Sequence, residues 1–306
     1  MNHIHEKIET PRIAFFGTPN LAVEVLEILN EHNLLPVCVV TNPDMPQGRK
    51  MQLTPSPVKV WATSHGVPTY EPESLVQNNH VQQLLEKEAI DLCIVVAYGK
   101  IIPQDILDIP KFGTLNVHPS LLPTLRGASP IRSAIREDKS TTGVTIMLLD
   151  ALLDHGPILA QKEFNFGPDI WPLRGRELDT RLAHSGGILL VETIPEWIAG
   201  NIVPREQEHA QATFCSKITK EMGEINLAGD GYMNLLKIRA FDGWPGTYFF
   251  YEKNEKNIRV KIIDAELNPD KTLRILRVIP EGKSEMSYDD FIRNTNVQKD
   301  THGKDQ

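Results

Sequence analysis

The feature that most constrains the fold is a short, almost continuous apolar run at residues 91–97 (DLCIVVA). A strand has this composition when both of its faces are covered, which is typical of a parallel sheet lying between two layers of helices. Residues 12–16, 36–40, 114–118 and 145–149 are similarly short and rich in apolar residues. All of these segments are therefore predicted to be strands of one largely buried sheet.

Helical patterns separate these strands. The clearest is an amphipathic segment after the first strand, whose apolar face consists of Ala22, Val25, Leu26 and Leu29. Ser56 followed by Pro57 is typical of a helix start, with serine as the cap and proline in the first turn. The last helix of this part is predicted at residues 176–200. Strands alternating with helices predict an α/β fold, a Rossmann-like and mostly parallel sheet with helices on both faces.

The pattern changes after residue 200. Apolar segments become shorter and alternate with polar residues at 247–251, 258–263 and 273–278, which indicates antiparallel strands and a small, OB-like β-barrel. The ends of the chain are polar. The predicted organisation comprises a flexible N-terminus (1–10), a catalytic α/β domain (11–200), a linker (201–212), a C-terminal β-barrel domain (213–295) and a disordered tail (296–306).

Composition excludes several classes of protein. A net charge of −8 argues against a strongly basic nucleic-acid binder. Cys38, Cys93 and Cys215 are widely separated, so neither a disulfide framework nor a metal site is predicted. No apolar run approaches the roughly 20 residues of a membrane helix, and residues 1–10 lack the apolar core of a signal peptide. We therefore expect a cytoplasmic protein with reduced thiols, no metal and no membrane contact, working as a monomer.

Three polar residues are candidates for catalysis. Asn116 and His118 lie two positions apart in a predicted strand, so their side chains share one face, and Asp154 follows in the segment LDHG. An amide can stabilise the oxyanion formed when an acyl group moves between nitrogens, and a histidine that donates a hydrogen bond to a carboxylate can transfer the proton. Alternatively, all three only satisfy loop and turn hydrogen bonds. Together they predict acyl transfer without a covalent nucleophile.

Several motifs resemble the methionyl-tRNA formyltransferase family of folate-dependent formyltransferases, and the resemblance extends from about Pro11 to Arg293. The motifs are Phe16–Pro19 (FGTP), Leu53–Lys59 (LTPSPVK), Ala97–Lys100 (AYGK), Asn116–Pro123 (NVHPSLLP), Arg126–Ile131 (RGASPI), Gly143–Met147 (GVTIM), Lys217–Glu221 (KITKE), Trp244–Gly246 (WPG) and Glu285–Phe291 (EMSYDDF).

The resemblance implies a formyl donor, 10-formyltetrahydrofolate, and an acceptor, the α-amine of methionine on initiator tRNA. It assigns catalysis to Asn116, His118 and Asp154. It assigns the folate site to Ser120, Leu121, Leu122, Pro123, Tyr98 and Gly99. Within the long polar loop at 42–55, it assigns contact with tRNA to Arg49 and Lys50, whose charges suit phosphates.

Two departures from the family pattern stand out. His155 occupies a position where the family commonly has threonine, and residues 205–306 are nearly neutral, with 16 Lys and Arg against 17 Asp and Glu. Alternatives remain: an N-formyltransferase acting on an amino sugar nucleotide, a formylfolate hydrolase, or a non-catalytic RNA-binding protein. NAD and ATP binding are rejected because the turn after the first strand has neither G-x-G-x-x-G nor G-x-x-x-x-G-K.

Overall fold

The structure is a computed structural model that describes residues 10–48, 51–76, 79–253 and 256–300. The chain forms two compact units. The first contains the residues up to Ala128 together with Thr142–Phe164 and Asp179–Phe214, and the second contains Ser129–Thr141, Asn165–Leu178 and the residues from Cys215 onward. The second unit therefore includes two segments that lie within the predicted catalytic domain at 11–200.

The elements follow one another along the chain as the alternating pattern predicts. The strands are β1 (Ile13–Gly17), β2 (Cys38–Val40), β3 (Met45–Gln47), β4 (Gln52–Thr54), β5 (Thr69–Tyr70), β6 (Leu92–Val96), β7 (Thr114–His118), β8 (Arg126–Gly127), β9 (Thr141–Leu148), β10 (Ile158–Asn165), β11 (Phe214–Cys215), β12 (Thr247–Lys253), β13 (Lys256–Leu267), β14 (Leu273–Pro280) and β15 (Met286–Ser287). The helices are α1 (Asn20–Glu31), α2 (Pro57–Ser64), α3 (Asn79–Lys87), α4 (Gln104–Leu107), α5 (Pro130–Arg136), α6 (Gly175–Ile198), α7 (Gly231–Ala240) and α8 (Tyr288–Asp300).

A seven-stranded sheet has the order β10-β9-β7-β6-β1-β2-β5. Strand β1 pairs in parallel with β2 and β6, and β7 pairs in parallel with β6, whereas β9 is antiparallel to β7. The chain moves outward from β1 in one direction through β2 and β5, and then continues on the other side of β1 with β6. Such a reversal opens a crevice at the carboxyl ends of the strands. The predicted fold class is confirmed.

Both faces of the sheet are covered, which explains the apolar run at 91–97. On one face, Phe16 and Val95 are buried in a cluster with Leu85 of α3. On the other face, α6 approaches the sheet closely because Gly186 carries no side chain. A Cβ at Gly186 would lie 2.6 Å from Cγ1 of Val117. Strand β6 is buried along its whole length because helices cover both of its sides.

The predicted helix starts and faces are found in the structure. Ala22, Val25 and Leu26 of α1 are buried, as their spacing requires. Ser56 caps α2 by accepting a hydrogen bond from the backbone nitrogen of Lys59 at 3.1 Å, and Pro57 occupies the first turn. The cysteines are free and buried, and no helix among the described residues is both long and apolar enough to span a bilayer.

The segment predicted as a polar loop at 42–55 is partly a β-hairpin. Strands β3 and β4 pair antiparallel, with Met45 opposite Thr54. The base of the hairpin is fixed by Lys59, whose ammonium group contacts Asp44 at 2.7 Å and Glu71 at 2.9 Å. Its proline and glycine content predicts a turn but not the short strands on either side of that turn.

In the second unit, β12, β13, β14 and β15 form an antiparallel sheet. Phe249 and Val260 are buried with Ile238 of α7 and Phe291 of α8. The β-rich C-terminal part is thus as predicted. Helix α8 begins among packed apolar side chains, such as Phe291, and continues to Asp300. Residues 296–300 are therefore helical, where the low apolar content predicted disorder.

Candidate active site

The first candidate residues lie where β7 ends, beside the crevice at the carboxyl ends of the parallel strands. Asn116 is 8% exposed and His118 is 4% exposed. The register sets Asn116 next to Val95 of β6 and Met147 of β9, and His118 next to Thr145. Because side chains alternate along a strand, Asn116 and His118 face the same side.

The hydrogen bond made by His118 fixes which of its nitrogens carries a proton. Nε2 lies 3.0 Å from the carbonyl oxygen of Leu125. A carbonyl oxygen only accepts, so Nε2 is the donor in this contact. The other nitrogen, Nδ1, lies 3.8 Å from Oδ2 of Asp154. The ring therefore presents Nδ1 as the atom that can gain or lose a proton beside the carboxylate.

Asp154 reaches this position from a left-handed backbone conformation, with φ of +46°. Its Oδ2 accepts a hydrogen bond from the backbone nitrogen of Gly127 at 2.6 Å, and its side chain is 12% exposed. The hydrogen bond expected from the imidazole of His118 is not formed, because 3.8 Å exceeds hydrogen-bonding distance. Two groups that are almost buried thus face each other without sharing a proton.

The turn that follows β7 is tightly braced. Thr145 Oγ1 donates to the carbonyl oxygen of Ser120 at 2.7 Å and accepts from the backbone nitrogen of Leu122 at 3.2 Å. Gln161 Nε2 donates to the carbonyl oxygen of Leu122 at 2.9 Å. Leu121 lies against Gly143, where a Cβ would come within 2.5 Å of it. Ser120, Leu121, Leu122 and Pro123 therefore form a preorganised wall beside His118.

The other predicted folate residues, Tyr98 and Gly99, follow β6. The side chain of Tyr98 points into the core, where its ring meets Phe16 edge-on at 5.6 Å, and burial raises the pKa of its hydroxyl to about 12. Only its backbone is at the crevice, with the carbonyl oxygen 3.3 Å from Thr18 Oγ1. Ala97 and Gly99 are exposed and have positive φ angles of +47° and +81°. A ligand here meets backbone rather than the phenol ring.

One polar atom at this crevice has no partner among the residues that the structure describes. The amide nitrogen of Asn42 lies 3.3 Å from the carbonyl oxygen of Tyr98, and its Oδ1 is buried without a hydrogen bond. Buried acceptors are normally satisfied, so an unpaired one beside a crevice is suited to a donor on a ligand.

Arg49 and Lys50 lie outside the described residues, so their predicted role stays a prediction. On the hairpin around them, Met45, Met51 and Leu53 are respectively 58%, 68% and 66% exposed. Large apolar side chains gathered on one exposed hairpin are typical of a surface that contacts another molecule.

His155, the residue that departs from the family pattern, does not face His118. Its Nδ1 lies 2.6 Å from Oδ2 of Asp150, and its ring stacks on that of His209 at a centroid distance of 4.1 Å. His155 thus belongs to a separate, half-exposed cluster beside the candidate site.

Sequence reasoning missed Arg126 and Gln207. Gln207 lies in the predicted linker at 201–212, yet it is 4% exposed and hydrogen-bonded on both sides of its amide. No apolar periodicity marks it, because a buried glutamine is held by hydrogen bonds and not by hydrophobic spacing. Among the described residues, no cluster of three or more His, Cys, Asp or Glu side chains is arranged to hold a metal ion.

Comparison with known proteins identifies the family. A sequence model described as formyl transferase matches residues 11–194, and a second, described as formyl transferase, C-terminal domain, matches residues 217–272. The chain belongs to the formyl transferase family. Both compact units carry part of this match, so the relationship extends over most of the chain.

Curated relatives and solved structures agree with this assignment. The methionyl-tRNA formyltransferase of Geobacillus thermodenitrificans is 37% identical, covering 92% of this chain and 93% of its own. That of Sulfurihydrogenibium is 38% identical, covering 84% and 82%. The fold is shared with the methionyl-tRNA formyltransferase of Clostridium thermocellum (TM-score 0.58, 17% identity, 90% and 99% covered) and with an N-formyltransferase of Helicobacter canadensis (TM-score 0.61, 19%, 84% and 88%).

Proposed function

We propose that this formyl transferase moves the formyl group of 10-formyltetrahydrofolate to the α-amine of methionine on initiator tRNA. The observation that carries the proposal is the pair formed by His118 Nδ1 and Asp154 Oδ2, 3.8 Å apart and almost buried, beside Asn116. The relatives named methionyl-tRNA formyltransferase support the acceptor.

The proposed roles follow from the chemistry of each side chain. Attack by the neutral amine puts negative charge on the formyl oxygen, and Asn116 donates to that oxygen through its amide. His118, protonated on Nδ1, donates to the same oxygen, while Nε2 stays bound to Leu125. Asp154 helps to remove the proton of the attacking amine. When the tetrahedral intermediate collapses, the bond from the formyl carbon to the folate nitrogen breaks, and His118 gives a proton to that nitrogen so that tetrahydrofolate leaves.

The residues of the crevice fit a folate as the formyl donor. The wall from Ser120 to Pro123 is rigid, with Leu121 presenting apolar surface, and suits one side of a flat ring. The exposed backbone at Ala97 and Gly99 and the unpaired Oδ1 of Asn42 offer polar groups for the ring edge. A mostly apolar cleft with a few fixed polar atoms is typical of such ligand sites.

The hairpin at 45–54 is proposed to contact the acceptor tRNA through Arg49, Lys50 and the exposed Met51. Deletion of residues 46–52 is expected to reduce formylation of methionyl-tRNA strongly while leaving the core folded, since β3 and β4 pair with each other and with no other strand in the part of the chain that the structure describes. Undiminished formylation by the deletion variant would remove the hairpin from this role.

We also propose that the protein is a cytoplasmic monomer. Size-exclusion chromatography with light scattering measures its oligomeric state.

A second candidate acceptor is the amine of an amino sugar nucleotide. The Helicobacter canadensis structure, described as a complex with folinic acid and dTDP-3-aminofucose, shares this fold. Incubation of the purified protein with 10-formyltetrahydrofolate and either charged initiator tRNA or an amino sugar nucleotide distinguishes the two. We expect label only in the aminoacyl ester. Label only in the sugar would favour the second candidate. Release of formate without any acceptor would favour a hydrolase, and binding of tRNA without formyl transfer would favour a non-catalytic protein.

A further inference from the structure

Gln207 is a buried polar residue in a segment whose sequence predicts a solvated linker. The segment is attached to the first unit by a backbone pair, in which Arg205 and Ile158 exchange hydrogen bonds of 2.8 and 2.9 Å. Two residues later, Gln207 is almost fully enclosed. Burying an amide costs free energy unless its hydrogen-bonding groups are paired, so the contacts of Gln207 show what holds it there.

Both ends of the Gln207 amide are satisfied. Its Nε2 donates to the carbonyl oxygen of Asp154 at 3.0 Å and to that of Gly156 at 2.7 Å. Its Oε1 accepts from Arg126 Nε at 3.1 Å and from Nη2 at 2.6 Å. These contacts use both N–H groups and both lone pairs of the amide. Gln207 therefore links the guanidinium group of Arg126 to the carbonyl oxygens of Asp154 and Gly156, the two residues that flank His155.

The residue held in this way is strained. Asp154 has a positive φ, which is unfavourable for a side chain with a Cβ and persists only where neighbouring contacts impose it. Arg126 supports Asp154 through Gln207, while the next residue, Gly127, binds the Asp154 carboxylate directly. The two residues of the short strand β8 therefore hold both the backbone and the side chain of Asp154.

We infer that Arg126 and Gln207 are positioning residues, which hold Asp154 so that its Oδ2 faces Nδ1 of His118. This inference rests on the proposed function, because it assigns the pair to that reaction. Neither residue transfers a proton itself. Their contribution lies in geometry, since displacement of a reacting group by about 1 Å can cost about 100-fold in rate.

The substitution Gln207→Glu tests the two donated bonds. Glutamate has nearly the same shape and keeps an acceptor for Arg126, but it turns a carboxylate oxygen toward the carbonyls of Asp154 and Gly156. We expect kcat to fall about 10- to 100-fold, with KM for both substrates within about threefold. Gln211→Glu is the matched control, because it makes the same chemical change at an exposed position of the same segment, and it should keep normal kinetics.

A double variant separates positioning from general stability. If Gln207 acts through Asp154, the combination of Gln207→Glu with Asp154→Asn should be no slower than Asp154→Asn alone. The pH–rate profile of Gln207→Glu should also change in the same direction as that of Asp154→Asn. Multiplicative losses in the double variant, or an unchanged profile in the single one, would overturn the inference.

Arg126→Lys provides a second test should Gln207→Glu fail to fold. Lysine keeps the charge but cannot present the paired N–H groups of the guanidinium fork. We expect a loss in kcat of about three- to tenfold, again absent when Asp154 is already asparagine. If the wild-type protein formylates methionyl-tRNA and these variants equal it, the positioning role is wrong. If the wild type itself does not, the proposed function is wrong.

Discussion

Two histidine–aspartate pairs lie next to each other in this protein, and they differ in an instructive way. His155 and Asp150 are in direct contact at 2.6 Å, and their side chains are 32% and 36% exposed. His118 and Asp154 are separated by 3.8 Å, and their side chains are only 5% and 12% exposed. The shorter contact therefore belongs to the pair that water reaches more easily.

If the proposed function is right, the comparison indicates that a short contact is a poor sign of a catalytic pair. His155 Nδ1 and Asp150 Oδ2 are in direct hydrogen-bonding contact with each other. In the buried pair, the carboxylate is held by the backbone of Gly127 and the imidazole by that of Leu125. Their facing atoms, His118 Nδ1 and Asp154 Oδ2, are not hydrogen-bonded to each other. Two groups that the backbone holds close together without a hydrogen bond between them are suited to proton transfer.

The largest expected effect is that of His118→Ala. Removal of the imidazole eliminates the donor to the developing oxyanion, and kcat for methionyl-tRNA formylation should fall at least about 100-fold. His155→Ala should stay within about threefold of wild type. Single-turnover formylation with excess enzyme measures both. Comparable losses in the two variants would mean that the two pairs do not differ in function.

Asp154→Asn is expected to have the next largest effect. The amide keeps the size of the side chain but removes the negative charge beside His118, so kcat should again fall about 100-fold. Asp150→Asn makes the same change in the exposed pair and should leave kcat nearly unaltered. Steady-state kinetics with both substrates varied would detect the difference, and near-normal turnover by Asp154→Asn would remove that residue from the proton path.

Gly156→Ala tests whether the backbone holds the buried pair. A Cβ at this position would lie 2.1 Å from the carbonyl oxygen of Leu148, so the segment carrying Asp154 must shift. The free energy of unfolding should fall by about 1–3 kcal/mol, and kcat should drop at least about tenfold. The control is Gly167→Ala, where, apart from the two chain neighbours, no described residue lies within 4 Å of the added methyl group. Chemical denaturation and kinetics of the two variants give the comparison.

Much of the fold was predictable from hydrophobic pattern alone. Strand β7 and the buried face of α1 follow directly from the spacing of apolar residues, because burial on both sides of a parallel sheet leaves a strong signal. The hairpin β3–β4 was missed since it buries little apolar surface. The burial of Gln207 in the segment 201–212 was missed for the same reason. It depends on hydrogen bonds made by Gln207 rather than on apolar contacts.

The candidate site was predictable only in part. Asn116 and His118 share a strand, so their common face follows from a period of two. The approach of Asp154 does not follow from any local pattern, because it depends on a positive φ and on a bond to Gly127. The orientation of Tyr98 into the core was equally hidden, because Tyr98 lies outside any strand or helix, between two residues with positive φ.

The smallest expected effect comes from breaking the exposed pair itself. Asp150→Asn should change the free energy of unfolding by no more than about 1 kcal/mol, because water reaches the half-exposed contact between His155 and Asp150 and salt screens the charge of the carboxylate. His155→Ala also removes the stacking on His209, which accepts a hydrogen bond from Arg126 at 2.9 Å. Urea denaturation at low and high salt measures both, and the effect of Asp150→Asn should shrink as salt rises. A larger loss that is insensitive to salt would mean that the exposed pair supports Arg126, and the two pairs would then be mechanically coupled.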